Sequence, residues 1–226
     1  DGKTLHHTLT VSNPGAEELR FGIGYHPAFQ VPFDDSHTVE DYEFRFDQPE
    51  SPVILDASGG GLLTGKCYYQ WKNQQAIQLT NDLFDNDSFC MAGLRTRTLG
   101  IYEKDTGRSI VCDVAGFPYT LIWSALSKPV RFVCIEPWNS LPASVEDAPE
   151  WNQRAAAACL APGGGWGPRG AAGAPARPPA SPAHPGMDLS SSRDSPPQSA
   201  PVSAHRRRAA AAARLRSSAG RKPRLL

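Results

Sequence analysis

Hydrophobic and polar residues alternate with a period of two along much of residues 5–136. That is the spacing of strands with one face on a core and the other turned away from it. Leu9 and Val11 alternate with Thr8, Thr10 and Ser12, and the run stops at the turn Asn13-Pro14-Gly15. Phe21, Ile23 and Tyr25 alternate with Gly22, Gly24 and His26. Further strands are predicted over 42–46, 76–80, 88–94, 100–103, 109–114, 119–124 and 130–136. Asp105-Thr106-Gly107 marks a hairpin turn, and Ser58-Gly59-Gly60-Gly61 marks a loop. No segment before Glu146 keeps helical spacing. Many short strands punctuated by Gly, Pro, Asn and Asp predict an all-β, antiparallel sandwich.

The pattern fails near residue 154, and composition shows why. Residues 1–153 carry 11 Lys+Arg against 21 Asp+Glu, a net −10, whereas residues 154–226 carry 12 against 2, a net +10. The neutral total is a cancellation and says nothing about partners. Residues 155–226 hold 19 Ala, 8 Gly, 11 Pro and 10 Arg, with Trp166 as their lone aromatic. Such a stretch cannot bury enough apolar surface to offset the entropy of ordering it. We therefore divide the chain into a β domain over 1–163 and a disordered, low-complexity tail over 164–226. Its four dominant residue types have GC-rich codons, so a frameshift product is the expectation ahead of a functional tail.

The basic cluster His205-Arg206-Arg207-Arg208 has no interleaved aromatics for base stacking. It is read as a solvated charged run, with no specific nucleic-acid partner. No run reaches membrane-spanning length. Five cysteines (67, 90, 112, 134 and 159) are widely spaced with no C-x-x-C. Four lie in or beside apolar runs, the habit of buried free thiols, and point to a reducing compartment, the cytoplasm. The chain opens on Asp1-Gly2-Lys3, a turn leading straight into a strand, and an N-terminal part is expected to precede it.

Two strings carry the candidate chemistry: Tyr25-His26-Pro27-Ala28-Phe29 and Cys134-Ile135-Glu136-Pro137-Trp138. Proline holds the residue before it extended and has no N–H, so His26 and Glu136 are expected at strand ends with fixed directions. An imidazole and a carboxylate are the minimum equipment for acid–base work. Gly22 and Gly24, on the same face as His26, predict a shallow trough open to a ligand. Each residue also has an ordinary reading. His26 suits a hydrogen-bonded sheet contact, Glu136 an ion pair with Arg131, and Trp138 either a sugar platform or a cover for the core. Asn81-Asp82-Leu83-Phe84-Asp85-Asn86-Asp87 clusters carboxylates without the calcium-loop spacing; an Asx-type turn or hydrogen bonding to a polyol fits it better than a metal.

Taken in order, the Leu9–Asn13 strand, Gly-Tyr-His-Pro-Ala-Phe, Leu-Phe-Asp-Asn-Asp-Ser-Phe and Cys-Ile-Glu-Pro-Trp resemble the aldose 1-epimerases (galactose mutarotases), in their LacX-like branch. The resemblance runs to about Gly163. It implies an antiparallel β-supersandwich and interconversion of the α and β anomers of a small-molecule hexose, without cofactor or metal. It implies that His26 is the general acid and Glu136 the general base, and that Asp87, or else Asp85, holds sugar hydroxyls. Trp123 and Trp138 are implied pocket walls. The resemblance also implies missing parts. An Arg and a His that bind substrate in the family have no counterpart here, and the family's last strand, after Gly163, is replaced by the tail. An incomplete sandwich exposes unpaired edges, so this polypeptide alone is expected to fold poorly and to turn over weakly or not at all. A related sandwich that binds sugars or sugar phosphates without turnover, and a hexose-6-phosphate mutarotase, are the alternatives.

Overall fold

The computed structural model describes residues 3–167, except 59–60, 146, 148–149 and 155. The expectation for the tail beyond 167 lies outside the described residues.

Among the described residues, fourteen strands follow in chain order: β1 (Val11–Ser12), β2 (Leu19–Phe21), β3 (Ala28–Gln30), β4 (Tyr42–Glu50), β5 (Val53–Ser58), β6 (Leu62–Tyr68), β7 (Gln74–Gln78), β8 (Phe89–Ala92), β9 (Thr98–Glu103), β10 (Ser109–Asp113), β11 (Tyr119–Trp123), β12 (Phe132–Trp138), β13 (Ala158–Leu160) and β14 (Gly165–Trp166). The helical turns among the described residues are two 3-10 turns, Val39–Asp41 and Trp151–Gln153. All strand pairs are antiparallel. A six-stranded sheet runs β3-β12-β11-β8-β5-β6, and a four-stranded sheet runs β10-β9-β4-β7. The ribbons β1-β14 and β13-β2 complete the set.

Alternation along each strand builds the core. Ile54, Phe89, Met91, Ile122, Val133 and Ile135 from the six-stranded sheet join Tyr42, Phe44, Phe46, Ile77, Leu99 and Ile101 from the four-stranded sheet in one buried cluster. Because strand side chains alternate faces, the residues between these point the other way. Paired positions Leu55–Cys90, Cys90–Leu121, Leu121–Glu136 and Trp123–Cys134 therefore share the face of the larger sheet that turns away from the core.

Several expectations shift. β5 and β6 were absent from the predicted strands, and Ser58, expected in a loop, ends β5. Past Gly163, β14 pairs with β1 through Val11–Trp166 and Ser12–Gly165. Trp166 packs edge-on to Phe21 and Phe117, at 6.1 Å from each ring. Strand structure is thus described past Gly163. The edge of β6 is met by the returning chain: the Leu63 N–H donates to the Ala143 carbonyl, and the Val145 N–H to the Leu63 carbonyl, both at 2.9 Å.

Candidate active site

Glu136 lies inside β12, not at a strand end, opposite Leu121. Its side chain is 2 % exposed, on a strand whose neighbours Cys134 and Ile135 are fully buried. Desolvation disfavours a carboxylate, and burial pushes its pKa up to about 7. Arg131 is not its ion-pair partner. The ionic contact that reaches it is His26, with Nε2 at 3.5 Å from Oε2.

β12 tolerates Pro137 because its outer neighbour at that point is irregular. β3 pairs with Phe132–Cys134 only, and residues 23–25 run alongside the rest. The Tyr25 N–H donates to the Pro137 carbonyl at 3.1 Å, and the Asn139 N–H to the Ile23 carbonyl at 3.0 Å. A ladder would also send an N–H from position 137 to the Tyr25 carbonyl, which proline cannot do. The Trp138 indole Nε1 makes that bond at 3.0 Å, and Asn139 Oδ1 accepts from the Ile23 N–H at 2.7 Å.

His26 follows this clamp in an irregular segment rather than ending a strand, because β2 stops at Phe21. Its side chain is 56 % exposed, and its ring meets Trp123 edge-on at 5.7 Å between centroids. The expected glycine trough is filled. A Cβ on Gly24 would lie 2.4 Å from Trp138 Cδ1, and one on Gly22 would lie 2.3 Å from Ser140 Oγ and 3.0 Å from Trp151. These glycines admit side chains of the protein itself, so Trp138 is chiefly a clamp on the backbone before His26.

Asp85 and Asp87 sit elsewhere. Residues 81–87 form successive turns, with the Asp85 N–H on the Asp82 carbonyl (3.1 Å) and the Asp87 N–H on the Phe84 carbonyl (2.9 Å). Asp87 has φ 77°, a left-handed conformation that Asp tolerates better than most residues. Asp85 pairs with Lys128 Nζ at 2.8 Å. Both aspartates line an open cleft of about 500 Å³ with Asp56, Tyr68, Ser88 and Leu126. His26, Glu136 and Trp123 do not line that cleft, so the structure brings Trp123 to His26 and leaves the two aspartates in a separate group.

A second charged cluster went unseen in the sequence. Glu103, fully buried, accepts from Arg108 Nε at 2.7 Å and from an Arg108 terminal nitrogen at 2.6 Å. It also accepts from the hydroxyls of Tyr42 and Thr106. His37 sits between Asp34 (2.8 Å) and Asp105 (3.2 Å). The Arg108 guanidinium holds Glu103 down at about 2, and Asp34 followed by Asp105 raises His37 to about 9. Both carboxylate oxygens of Glu103 and of Asp34 are engaged, as in a structural tie between the 34–37 loop and the β9–β10 hairpin.

Around Glu136 the situation is the reverse. At 3.5 Å the pair is beyond ordinary hydrogen-bond length, so neither group is satisfied by the other. A buried carboxylate titrating near neutrality beside an accessible imidazole can take a proton from one atom of a bound molecule and return one to another.

No known family model matches the chain. In sequence it is 28 % identical over 151 residues to protein LacX of Lactococcus lactis subsp. lactis, in both plasmid and chromosomal forms. That match covers 65 % of this chain and 50 % of LacX. In structure it superposes on a galactose mutarotase-like protein from Lactobacillus casei with TM-score 0.61 and 25 % identity, over 71 % of this chain and 55 % of the other. It superposes on a galactose mutarotase related enzyme from Lactobacillus acidophilus with TM-score 0.62 and 22 % identity, over 71 % and 53 %. The chain therefore has the galactose mutarotase-like β fold, and these likenesses support an aldose 1-epimerase-like family. It spans about half the length of the curated relatives it matches, the two LacX proteins.

Proposed function

We propose that this chain carries the proton-transfer site of an aldose 1-epimerase, acting on free hexoses. One observation carries the reading: Glu136, buried and titrating near 7, stands 3.5 Å from the accessible His26 without being hydrogen-bonded to it. The likeness to LacX and to galactose mutarotase-like folds supports looking for this chemistry here; the assignment of roles rests on the geometry.

Glu136, as the carboxylate, takes the proton from the anomeric hydroxyl. His26, as imidazolium, gives one to the ring oxygen. The C1–O5 bond breaks, C1 becomes the aldehyde carbon, and rotation about C1–C2 presents its other face. Reclosure runs the same transfers backwards and yields the other anomer. Each group acts once as acid and once as base, so the starting protonation state is restored. Trp123, edge-on to His26, forms a wall for the sugar ring. Asp87 holds hydroxyls from the cleft side, and Asp85, paired with Lys128, plays a lesser part. The three carboxylates of the cleft, Asp56, Asp85 and Asp87, favour a neutral polyol over a phosphorylated sugar.

The same cleft suits a second reading, binding of a sugar without turnover. Polarimetry of freshly dissolved α-glucose and α-galactose, run beside calorimetric binding, separates the two. Catalysis predicts that His26→Asn and Glu136→Gln abolish any excess over the spontaneous rate while affinity largely survives. Affinity without excess rate in the unaltered chain supports binding alone.

A further inference from the structure

The donors around Glu136 make a second kind of site. We propose that His26, Cys134 and Glu136 bind a thiophilic divalent cation of the zinc class, with three protein ligands and one open position. Cys134 and Glu136 are two residues apart on β12 and so project from the same face. His26 arrives from the segment clamped by Trp138 and Asn139. The ligand atoms of all three lie within 4.8 Å of one another.

The distances suit an ion better than they suit a hydrogen bond. Tetrahedral zinc, with bonds of about 2.0–2.1 Å to N and O and about 2.3 Å to S, places neighbouring ligand atoms roughly 3.3–3.6 Å apart. The His26–Glu136 edge, at 3.5 Å, already has that length. The Cys134 sulfur has to close by at most about 1.3 Å on the same tetrahedral edge, within the reach of a side-chain adjustment. Thiolate, imidazole and carboxylate together select zinc or cobalt over magnesium or calcium, which take oxygen ligands. Binding converts the Cys134 thiol to a metal-bound thiolate and releases its proton to solvent. The ion then neutralises two buried anionic ligands.

The Asp34–His37–Glu103 group brings three donors equally close, yet it makes a poorer site. Its carboxylate oxygens are already taken by Arg108, Tyr42, Thr106 and Ser36. Around Glu136 no such donors intervene among the described contacts. No sequence spacing announces the set, because His26 lies more than a hundred residues before its two partners.

A bound ion would occupy the imidazole lone pair and the carboxylate needed for proton transfer, so zinc is an inhibitor of the site. That consequence rests on the proposed function; the binding itself does not. The test titrates the full, reduced, metal-free chain with cobalt(II). The expected result is one ion per chain, with the intense visible bands of four-coordinate cobalt and a near-ultraviolet sulfur-to-cobalt charge-transfer band, both displaced by zinc. Cys134→Ser removes the charge-transfer band, whereas Cys90→Ser keeps it. His26→Ala, at an exposed position that does not threaten folding, weakens binding at least tenfold. No charge-transfer band, a band that survives Cys134→Ser, or affinity indifferent to His26→Ala overturns the proposal. Anomer exchange is then read with and without saturating zinc. With cobalt bound as described, exchange that saturating zinc leaves untouched overturns the role of His26 and Glu136 in exchange and leaves the metal site standing, as does a chain that exchanges no anomers; cobalt binding that fails the tests above, in a chain that exchanges anomers through His26 and Glu136, overturns the metal site alone.

Discussion

The indole N–H of Trp138 donates to the carbonyl of Tyr25 at 3.0 Å, in the place where the residue before it, Pro137, has no N–H to give. The bond ties the segment carrying His26 to the strand carrying Glu136. Trp138→Phe keeps an aromatic ring beside Gly24 but removes the donor to that carbonyl. We expect a loss of about 1 kcal/mol in urea unfolding, together with a fall in anomer exchange at unchanged sugar affinity. Full stability and full exchange in that variant would show that the clamp is dispensable.

Gly24 is the other half of the clamp. A Cβ there meets Trp138 Cδ1 at 2.4 Å and the Pro137 carbonyl oxygen at 2.8 Å. The second is backbone and cannot swing aside. Gly24→Ala should cost roughly 1–3 kcal/mol, the usual effect of overpacking, and lower the midpoint of thermal unfolding. An unshifted midpoint would mean that the 22–26 segment is held by something else.

Two titrating groups set the pH dependence of stability, in adjoining windows. Glu136 has its pKa raised from 4.5 to about 7 by burial. Its contribution is fully present below 4.5 and is lost as pH rises through about 7, on the order of 3 kcal/mol for a shift of that size. His37, raised from 6.5 to about 9 by Asp34 and Asp105, contributes stability that is present below 6.5 and lost as pH rises through about 9. Urea unfolding across pH 4 to 10, in the presence of a chelator, should fall in both windows. Glu136→Gln should remove the first fall and His37→Asn the second. The rate of anomer exchange should rise as the Glu136 carboxylate forms near pH 7.

The Glu103 knot gives a non-additive prediction. Removing one partner of a buried ion pair strands the other charge. Arg108→Ala should therefore lower the thermal midpoint more than the double change Arg108→Ala with Glu103→Gln, which leaves no stranded carboxylate. Additive losses measured calorimetrically would show that the pair is not coupled.

What was legible in the sequence follows from range. Period-two alternation is a local signal, and it located the strands through Tyr42–Phe46, Phe89–Ala92 and Tyr119–Trp123 well. It missed β5, whose Val53, Ile54 and Leu55 run apolar without alternation, and β6, where Thr64, Gly65 and Lys66 interrupt the apolar positions. The rule that proline ends strands misplaced Glu136, because an irregular neighbour and the Trp138 indole let β12 continue through Pro137. Glycine beside His26 suggested space for a ligand, although Trp138, Ser140 and Trp151 take up that space. That His26 and Glu136 meet was expected through family resemblance, since no local pattern links positions so far apart. The Asp34–His37–Glu103–Arg108 knot had no such guide.

The central claim is that His26 and Glu136 together move the protons that open a hexose ring. Its most direct test is magnetization-exchange NMR between the α and β anomeric carbons of glucose and galactose, with the full chain, His26→Asn and Glu136→Gln side by side in chelator. The account predicts exchange above the spontaneous rate with the unaltered chain, lost in both variants while each remains folded. Weak turnover still satisfies this, since any reproducible excess suffices. No excess from a folded chain, or an excess that survives either substitution, would contradict it.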